Sequence, residues 1–477
     1  MSIAFPKPDA GIVARREEII AGLARLLPPE CLVTSEDERR AYDTDALTSY
    51  RKMPLAVALP RTTQEVSDVM RFCHENGVKV VARGAGTSLA GGAIPQEDAV
   101  VIGVAKLAGV IEMNFADRYA RVQSGITNLA ISGAVAHEQF FYAPDPSSQL
   151  ACTIAGNIAM NSGGAHCLKY GVTTNNLLGV TMVLVDGTIV ELGGPHLDAP
   201  GYDLLGLITG SEGQLGIVTE ATVRILRQAE GARPALIGFD SAETAGACVA
   251  AIIGAGIIPV ALEYMDRPAI QVCEAFAKAG YPLNVEAMLI VEVEGSDAEI
   301  EDQLARIVAI AEDFSPQTLK VAQSEAESAA IWKGRKSAFG ATGRIADYIC
   351  MDGTIPTGQL PHVLKRIDEI VKSYGLGVAN VFHAGDGNLH PLVMFDAAKP
   401  GDMQKAEDAG SDILKLCVEV GGCLTGEHGV GIEKRDLMTY QYNSQDLAQQ
   451  LRVRGVFDPG WLLNPAKVFP LEGRDAA

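Results

Sequence analysis

The chain has 477 residues, a hydrophobic fraction of 48%, 50 glycines and a formal charge of −20. At about 150 residues per unit the length predicts roughly three domain-sized units. The acidic balance repels phosphate backbones and speaks against a nucleic-acid partner, and an anionic substrate would need cations placed inside the fold. Nine scattered cysteines, an odd number without a CxxC pair, predict reduced thiols in a cytoplasm and argue against an iron–sulfur cluster held by this chain.

At the N-terminus, "MSIAFPKPDAGIVARREEIIAGLARLL" has its apolar positions interrupted by Arg15, Arg16, Glu17 and Glu18, so it reads as an amphipathic helix and not as a signal peptide. "LAVALP" (55–60) is a short strand. The helix after it places Thr62 and Glu65 as a capping box and ends at Gly77. "VKVVAR" is a strand that runs into "GAGTSLAGG" (84–92), and Asp186-Gly187 between two apolar runs signals a hairpin. The apolar rhythm lapses near 224–231, a boundary. Beyond it two strand–helix–strand units follow, 235–264 and 287–323, and a doubled βαβ predicts a ferredoxin-like arrangement. The apolar run "GACVAAIIGAGIIPVAL" (246–262) is broken by Gly254, Gly256 and Pro259, and reads as a helix followed by a buried strand, so no membrane span is expected.

Small residues in "RGAGTSLAGG" (83–92) would let several backbone N–H groups face one anion. The segment lacks the Rossmann fingerprint, because Leu89 stands at the third glycine position and no acidic residue follows about twenty residues on. Alone it is equally a structural turn. Two further runs, "YAPDPSSQLACTIAGNIAMNSGG" (142–164) and "GSEGQLGIVTEAT" (210–222), make three loops that a large flat cofactor could approach closely.

Together with "WKGRKSAFGATGR", "CMDGTIP", "NVFHAGDGNLHP", "TGEHGVG" and "LLNPAKVFP", these loops carry a resemblance. From about residue 20 to 470 the chain resembles the vanillyl-alcohol oxidase/p-cresol methylhydroxylase superfamily. Within it, the chain resembles the D-2-hydroxyacid dehydrogenase branch, which includes the D-type subunits of bacterial glycolate oxidases. The resemblance implies an α+β fold: a two-part FAD-binding domain of p-cresol methylhydroxylase type over 1–228, then a ferredoxin-like substrate or cap domain with a C-terminal helical segment over 229–477. It implies FAD, with the pyrophosphate on Arg83, Gly84, Ala85, Gly86, Thr87 and Ser88. Pro144, Asp145 and Ser148 would line the cofactor, Gly156, Asn161, Gly163 and Gly164 would lie nearer the flavin, and Gly213 and Ile217 would touch it from the third loop. The phosphate loop carries no histidine to tether the cofactor, so non-covalent binding is expected.

"VFHAGDGNLHP" (381–391) brackets a turn with His383 and His390. Across a hairpin the two imidazoles can face each other, and such a pair suits Zn²⁺, Mn²⁺ or Fe²⁺; histidines satisfied by turn backbone are the other reading. Glu427, in "TGEHGVG" (425–431), offers a third ligand. The resemblance implies that His383, His390 and Glu427 hold a divalent metal, that His428 is the base and that Arg335 receives the substrate carboxylate. The activity implied is oxidation of a small 2-hydroxyacid to the 2-oxoacid: hydride goes to flavin N5 and the metal sits on the substrate hydroxyl. Relatives that act on dicarboxylic acids have polar or basic groups where Phe339 and Cys350 align, which favours glycolate, with D-lactate as the alternative. Lys467 could approach the flavin or end the last strand at the surface. The resemblance also implies an iron–sulfur chain and a second flavin chain as partners, a cytoplasmic location and any attachment to the inner membrane through those partners. A metallohydrolase built on the histidines, or a non-catalytic flavin-bearing assembly subunit, are the alternatives of another class.

Overall fold

The computed structural model describes residues 3–196 and 201–471. The chain forms two compact units. An N-terminal unit comprises residues 3–163, 171–228 and the segment from 427 on, and a central unit comprises 164–170 and 229–426. The chain thus leaves the central unit at Gly426, inside the span 229–477 that the sequence reading kept together.

The N-terminal unit holds two main sheets. In the first, the strands run Leu32–Val33, Ala56–Ala58, Ala99–Gly103, Lys79–Arg83 across the sheet, and the last three are parallel. Helix Thr63–Glu75 makes the crossover between two of them, and Val66, Val69, Met70 and Cys73 join its core. The predicted capping box is half formed: Thr62 Oγ1 accepts from Glu65 N, but the Glu65 carboxylate turns back to Arg61 N. The second sheet is antiparallel, in the order Val110–Asn114, Tyr119–Gln123, Ile217–Arg224, Leu177–Val183, Ile189–Gly193. Its hairpin turns at Asp186-Gly187, as the dipeptide predicted.

The C-terminal segment completes this unit. Helix Ser444–Phe457 leads to Asp458, whose carboxylate accepts from Leu462 N and Leu463 N at 3.0 and 2.7 Å. Leu463 then pairs in parallel with Val80. Asn464 donates through Nδ2 to Gly92 O and Glu212 O, and accepts from Lys467 Nζ at 2.7 Å. The segment "LLNPAKVFP" is therefore a buried strut and not a surface tail.

In the central unit the sheet order is Thr318–Val321, Gly231–Phe239, Ala287–Gly295, Ala261–Asp266, all antiparallel. This is the 4-1-3-2 order of the ferredoxin-like arrangement that the doubled βαβ pattern predicted. Helices Ala242–Gly254 and Asp297–Glu312 pack on the sheet. Helix Arg267–Ala277, which the sequence reading omitted, follows the strand Ala261–Asp266 with Asp266 as its N-cap. Strands Gly377–His383, Pro391–Phe395 and Asp347–Cys350 extend the sheet to seven. No helix among the described residues is long and apolar enough to cross a membrane; the run 246–262 splits between a helix and a strand, as expected.

Lys467 corrects the surface reading, since it is 1% exposed. Burial pushes its ammonium down to about 7, against the pull of Asp45 and Glu212. Between that value and the ordinary lysine value near 10.4, the unfolded chain holds a proton here that the folded chain does not, so this group's contribution to stability grows as pH rises through the window. The unfolding free energy of the wild type minus that of Lys467→Met should therefore rise from pH 7 to pH 9, by up to ~1 kcal/mol per pH unit. Denaturant unfolding at the two pH values checks this, and a flat difference would contradict it.

Candidate active site

The strand Lys79–Arg83 ends in a loop whose backbone is open on one side. Among the described residues, no hydrogen bond is donated by the backbone N–H groups of Gly84 through Ser88 to another protein group. Five consecutive amides without a protein acceptor suit an anion such as a pyrophosphate. The Arg83 side chain does not join them. It is buried, donates to Thr44 O at 2.8 Å and lies over the Tyr42 ring. A Cβ at Gly84 would collide with Thr153 Oγ1, so the first and second loops approach closely because this position has no side chain. Thr153 caps helix Ile154–Met160, which carries Gly156 and ends at Asn161 in the left-handed conformation. Pro144 O accepts from Asn128 Nδ2 at 3.0 Å, which fixes the proline-pinned loop; Asp145 and Ser148 are half-buried beside it. Gly163 closes the N-terminal unit's part of this run, and Gly164 opens the segment 164–170 that packs with the central unit. Ile217 begins its strand, buried, and Gly213 precedes it at φ +71°.

The third loop contains a residue whose role the sequence reading missed. Glu212 is 5% exposed, and its carboxylate accepts from Val430 N at 2.7 Å and Gly431 N at 2.8 Å. Burial raises its pKa, opposed by those two amides and by Lys434 and Lys467. It thereby fixes the loop that follows Glu427 and His428, both half-buried. Gly429 within that loop has φ +83°, and a Cβ there would stand 2.9 Å from Glu212 Oε1 and from Met160 Sδ. Lys434, fully buried, donates to Gly429 O. The signal in the sequence was a lone carboxylate between glycines of a buried motif, "GSEGQLG".

In the central unit the predicted hairpin forms. His383 ends one strand, and His390 directly precedes the next, which starts at Pro391. Asp386 Oδ1 accepts from Asn388 N and shapes the turn. The two imidazoles are buried and edge to face, with ring centroids 5.1 Å apart. A second missed residue, Glu263, stands opposite His383 in the adjoining strand pair. Its Oε1 lies 2.7 Å from His383 Nδ1, and its Oε2 accepts from Arg335 Nε at 2.8 Å and lies 2.6 Å from Arg335 Nη2. Burial alone would raise the Glu263 carboxyl; His383 and Arg335 outweigh it and hold the carboxyl below its usual range. Arg335, 5% exposed, comes from helix Glu325–Lys336, whose Lys333 and Lys336 are exposed. Asp352 is a third such carboxylate. It is fully buried, accepts from Asn388 Nδ2, Thr425 Oγ1 and Gly426 N, and has Oδ1 4.0 Å from His390 Nδ1.

The structure thus gathers His383, His390 and Arg335 in one unit, and the three small-residue loops with Glu427 and His428 in the other. For a divalent metal the donor chemistry of the hairpin fits: two buried imidazoles face each other, and one has its Nδ1 engaged by a carboxylate.

Comparison with known proteins gives the class. The C-terminal domain of FAD linked oxidases matches residues 229–468, and an FAD binding domain matches residues 54–193. The chain belongs to the FAD-linked oxidases and is an FAD-dependent oxidoreductase. It is 47% identical to the glycolate oxidase subunit GlcD of Escherichia coli (strain K12), over 95% of this chain and 91% of that one. It is 37% identical to the subunit of the same name from Bacillus subtilis (strain 168), over 95% and 97%. With a D-lactate dehydrogenase of Archaeoglobus fulgidus it shares 30% identity, over 94% and 98%. The fold is that of p-cresol methylhydroxylase, at TM-score 0.80 and 14% identity over 98% of this chain and 99% of that one. Family membership removes the support for a metallohydrolase.

Glu212→Ala should destabilise the protein, because it leaves two buried N–H groups unsatisfied at about 1–3 kcal/mol each. Glu212→Gln, which keeps one acceptor, should lose less. Denaturant unfolding of the FAD-loaded protein measures both, and a loss below ~1 kcal/mol for Glu212→Ala would show that the carboxylate does not hold the loop.

Proposed function

We propose that the protein oxidises a small 2-hydroxyacid, glycolate in the first place, to the 2-oxoacid. The single observation that carries this reading is the cluster His383–Glu263–Arg335, in which an imidazole suited to a metal and a guanidinium suited to a carboxylate share one buried acid. The likeness to glycolate oxidase subunits supports the choice of substrate. A D-lactate dehydrogenase is the second reading, supported by the relative of that name.

In this reading the backbone of Arg83 to Ser88 holds the pyrophosphate, and FAD binds non-covalently and supplies the hydride acceptor. Pro144, Asp145, Ser148, Gly156, Asn161, Gly163, Gly164, Gly213 and Ile217 line it. His383, His390 and Glu427 hold a divalent cation, Zn²⁺, Mn²⁺ or Fe²⁺, whose chemistry there is to polarise the substrate hydroxyl. Covalent continuity supports Glu427 as the third ligand. Gly426 is bonded to Asp352 within the central unit, and the next Cα is only about 3.8 Å further on. Arg335 receives the substrate carboxylate, and His428 takes the hydroxyl proton, a task suited to imidazole near neutral pH. Phe339 and Cys350 offer no charge to a second carboxylate, which favours a monocarboxylic acid. An iron–sulfur chain and a second flavin chain would receive the electrons, in the cytoplasm or at the inner membrane.

Anaerobic titration of the FAD-loaded protein with glycolate and with D-lactate, followed by bleaching of the flavin absorbance, tests the assignment; bleaching by neither acid rejects it. His428→Ala should slow that bleaching by about 10²–10⁴-fold while FAD stays bound, as expected for loss of a general base; an unchanged rate removes His428 from the mechanism. Chelation should abolish bleaching without releasing FAD, and full activity in metal-free protein would reject the metal.

A further inference from the structure

We propose that Glu263 is a positioning residue that selects the nitrogen His383 presents to the metal and the edge Arg335 presents to the substrate. The inference rests on the metal reading above and extends it to a residue outside the ligand set.

Glu263 belongs to the strand Ala261–Asp266, and its register partner in the neighbouring antiparallel strand is His383. Directly opposed residues of an antiparallel pair project on one face with side chains in contact. The position is wholly buried, flanked by Ala261, Leu262, Tyr264 and Met265. A charge in such a run is tolerated only when paired, and both oxygens of Glu263 are used. Oε1 meets His383 Nδ1 at 2.7 Å; Oε2 meets Arg335 Nε at 2.8 Å and Nη2 at 2.6 Å.

Two consequences follow from donor and acceptor chemistry. A carboxylate only accepts, so Nδ1 of His383 carries the proton in this bond, and a neutral ring then has its lone pair at Nε2. A lone pair there is what a metal ligand needs, in the arrangement by which a carboxylate orients and strengthens an imidazole. For Arg335, Glu263 takes the Nε–Nη2 edge, so the Nη1–Nη2 end is the edge left to receive a substrate carboxylate. The same contact neutralises the guanidinium within the cluster. Arg335 then orients the substrate, and the metal supplies the positive charge that the substrate anion meets. Loss of the metal should accordingly raise KM as well as lower kcat.

Glu263→Gln in the FAD-loaded full chain separates these roles, because an amide offers one acceptor and one donor. If the amide oxygen faces His383, its NH₂ faces the donors of Arg335; if the NH₂ faces His383, the ring proton moves to Nε2 and the ligand is lost. Zn²⁺ and Mn²⁺ affinity, measured by competition with a chelator, should fall by about 10–100-fold, as for removal of an orienting partner. KM for the hydroxyacid should rise and the thermal midpoint should fall, because Arg335 loses its buried counter-charge, while FAD content stays close to wild type. Glu263→Asp carries the test if the amide variant does not retain FAD. Its carboxylate is drawn back by about 1.5 Å, one C–C bond, beyond hydrogen-bond reach of Nδ1, so metal affinity should fall here too. Wild-type protein with no measurable Zn²⁺ or Mn²⁺ affinity would overturn the metal reading itself. Wild-type protein that binds either ion, with a folded Glu263 variant binding it equally well, would overturn the role of Glu263 alone.

Discussion

The run from Thr425 to Gly431 is tied at each end to a buried carboxylate, and the proposed chemistry depends on that restraint. In the central unit Asp352 takes the Thr425 hydroxyl and the Gly426 amide. In the N-terminal unit Glu212 takes the Val430 and Gly431 amides. Glu427, His428 and Gly429 are the three residues between the ties. A segment with three glycines in six residues would otherwise be costly to order, since each fixed residue loses about 1–2 kcal/mol of backbone entropy and glycine loses most. Four hydrogen bonds to ionisable acceptors offset that loss, and bonds to charged groups are roughly twice as strong as neutral ones. Because consecutive Cα atoms lie about 3.8 Å apart, ties one to three residues away confine where a carboxylate and an imidazole emerge.

The same economy recurs wherever charge is buried. The chain carries −20 overall, yet its interior pairs acids with bases. Glu263 sits between His383 and Arg335, and Lys79 reaches Asp98 at 2.9 Å. Asp45, pushed up to about 6 by burial, is drawn back by two backbone amides, Arg83 and Lys467. Taking a single charge out of water is prohibitive, and a pair is tolerated only when its remaining lone pairs and protons are satisfied. Such pairs contribute little net stability but fix geometry, as a loop cofactor site and a small-molecule acid site require.

Local pattern made much of this legible. The doubled βαβ rhythm gave the 4-1-3-2 sheet, Asp186-Gly187 gave its hairpin, and the His383–His390 spacing gave facing imidazoles. Each of these rests on neighbours within one or two elements. Glu263 and Glu212 were not read because their partners lie far along the chain: Glu263 is 120 residues from His383 and Glu212 is 218 from Val430. Among 59 acidic residues nothing in spacing singles them out. Their context did hold a signal, since a lone glutamate in the run "VALEYM" contradicts a strand buried on both faces unless the charge is matched inside. Of the two readings left open for Lys467, only the surface one fails: its flanks in "NPAKVFP" are apolar, and Asn464, three residues back, accepts its hydrogen bond.

Proteins with this fold at 14–16% identity include p-cresol methylhydroxylase, a 4-ethylphenol oxidase and an alkyldihydroxyacetonephosphate synthase. A scaffold shared across such names fixes little about the substrate, so specificity has to be argued from side chains. On the proposed function the central unit offers one guanidinium, already neutralised by Glu263, and half-buried Phe339 and buried Cys350. A single substrate carboxylate can dock on the remaining edge of Arg335 and take its counter-charge from a metal. If Phe339 and Cys350 faced a second carboxylate, as the resemblance implies, they would offer it no counter-charge, and an unpaired buried ion costs several kcal/mol. On that proposal selection would work by what is withheld: one cation edge for a single carboxylate, and no charge from Phe339 or Cys350 for a second.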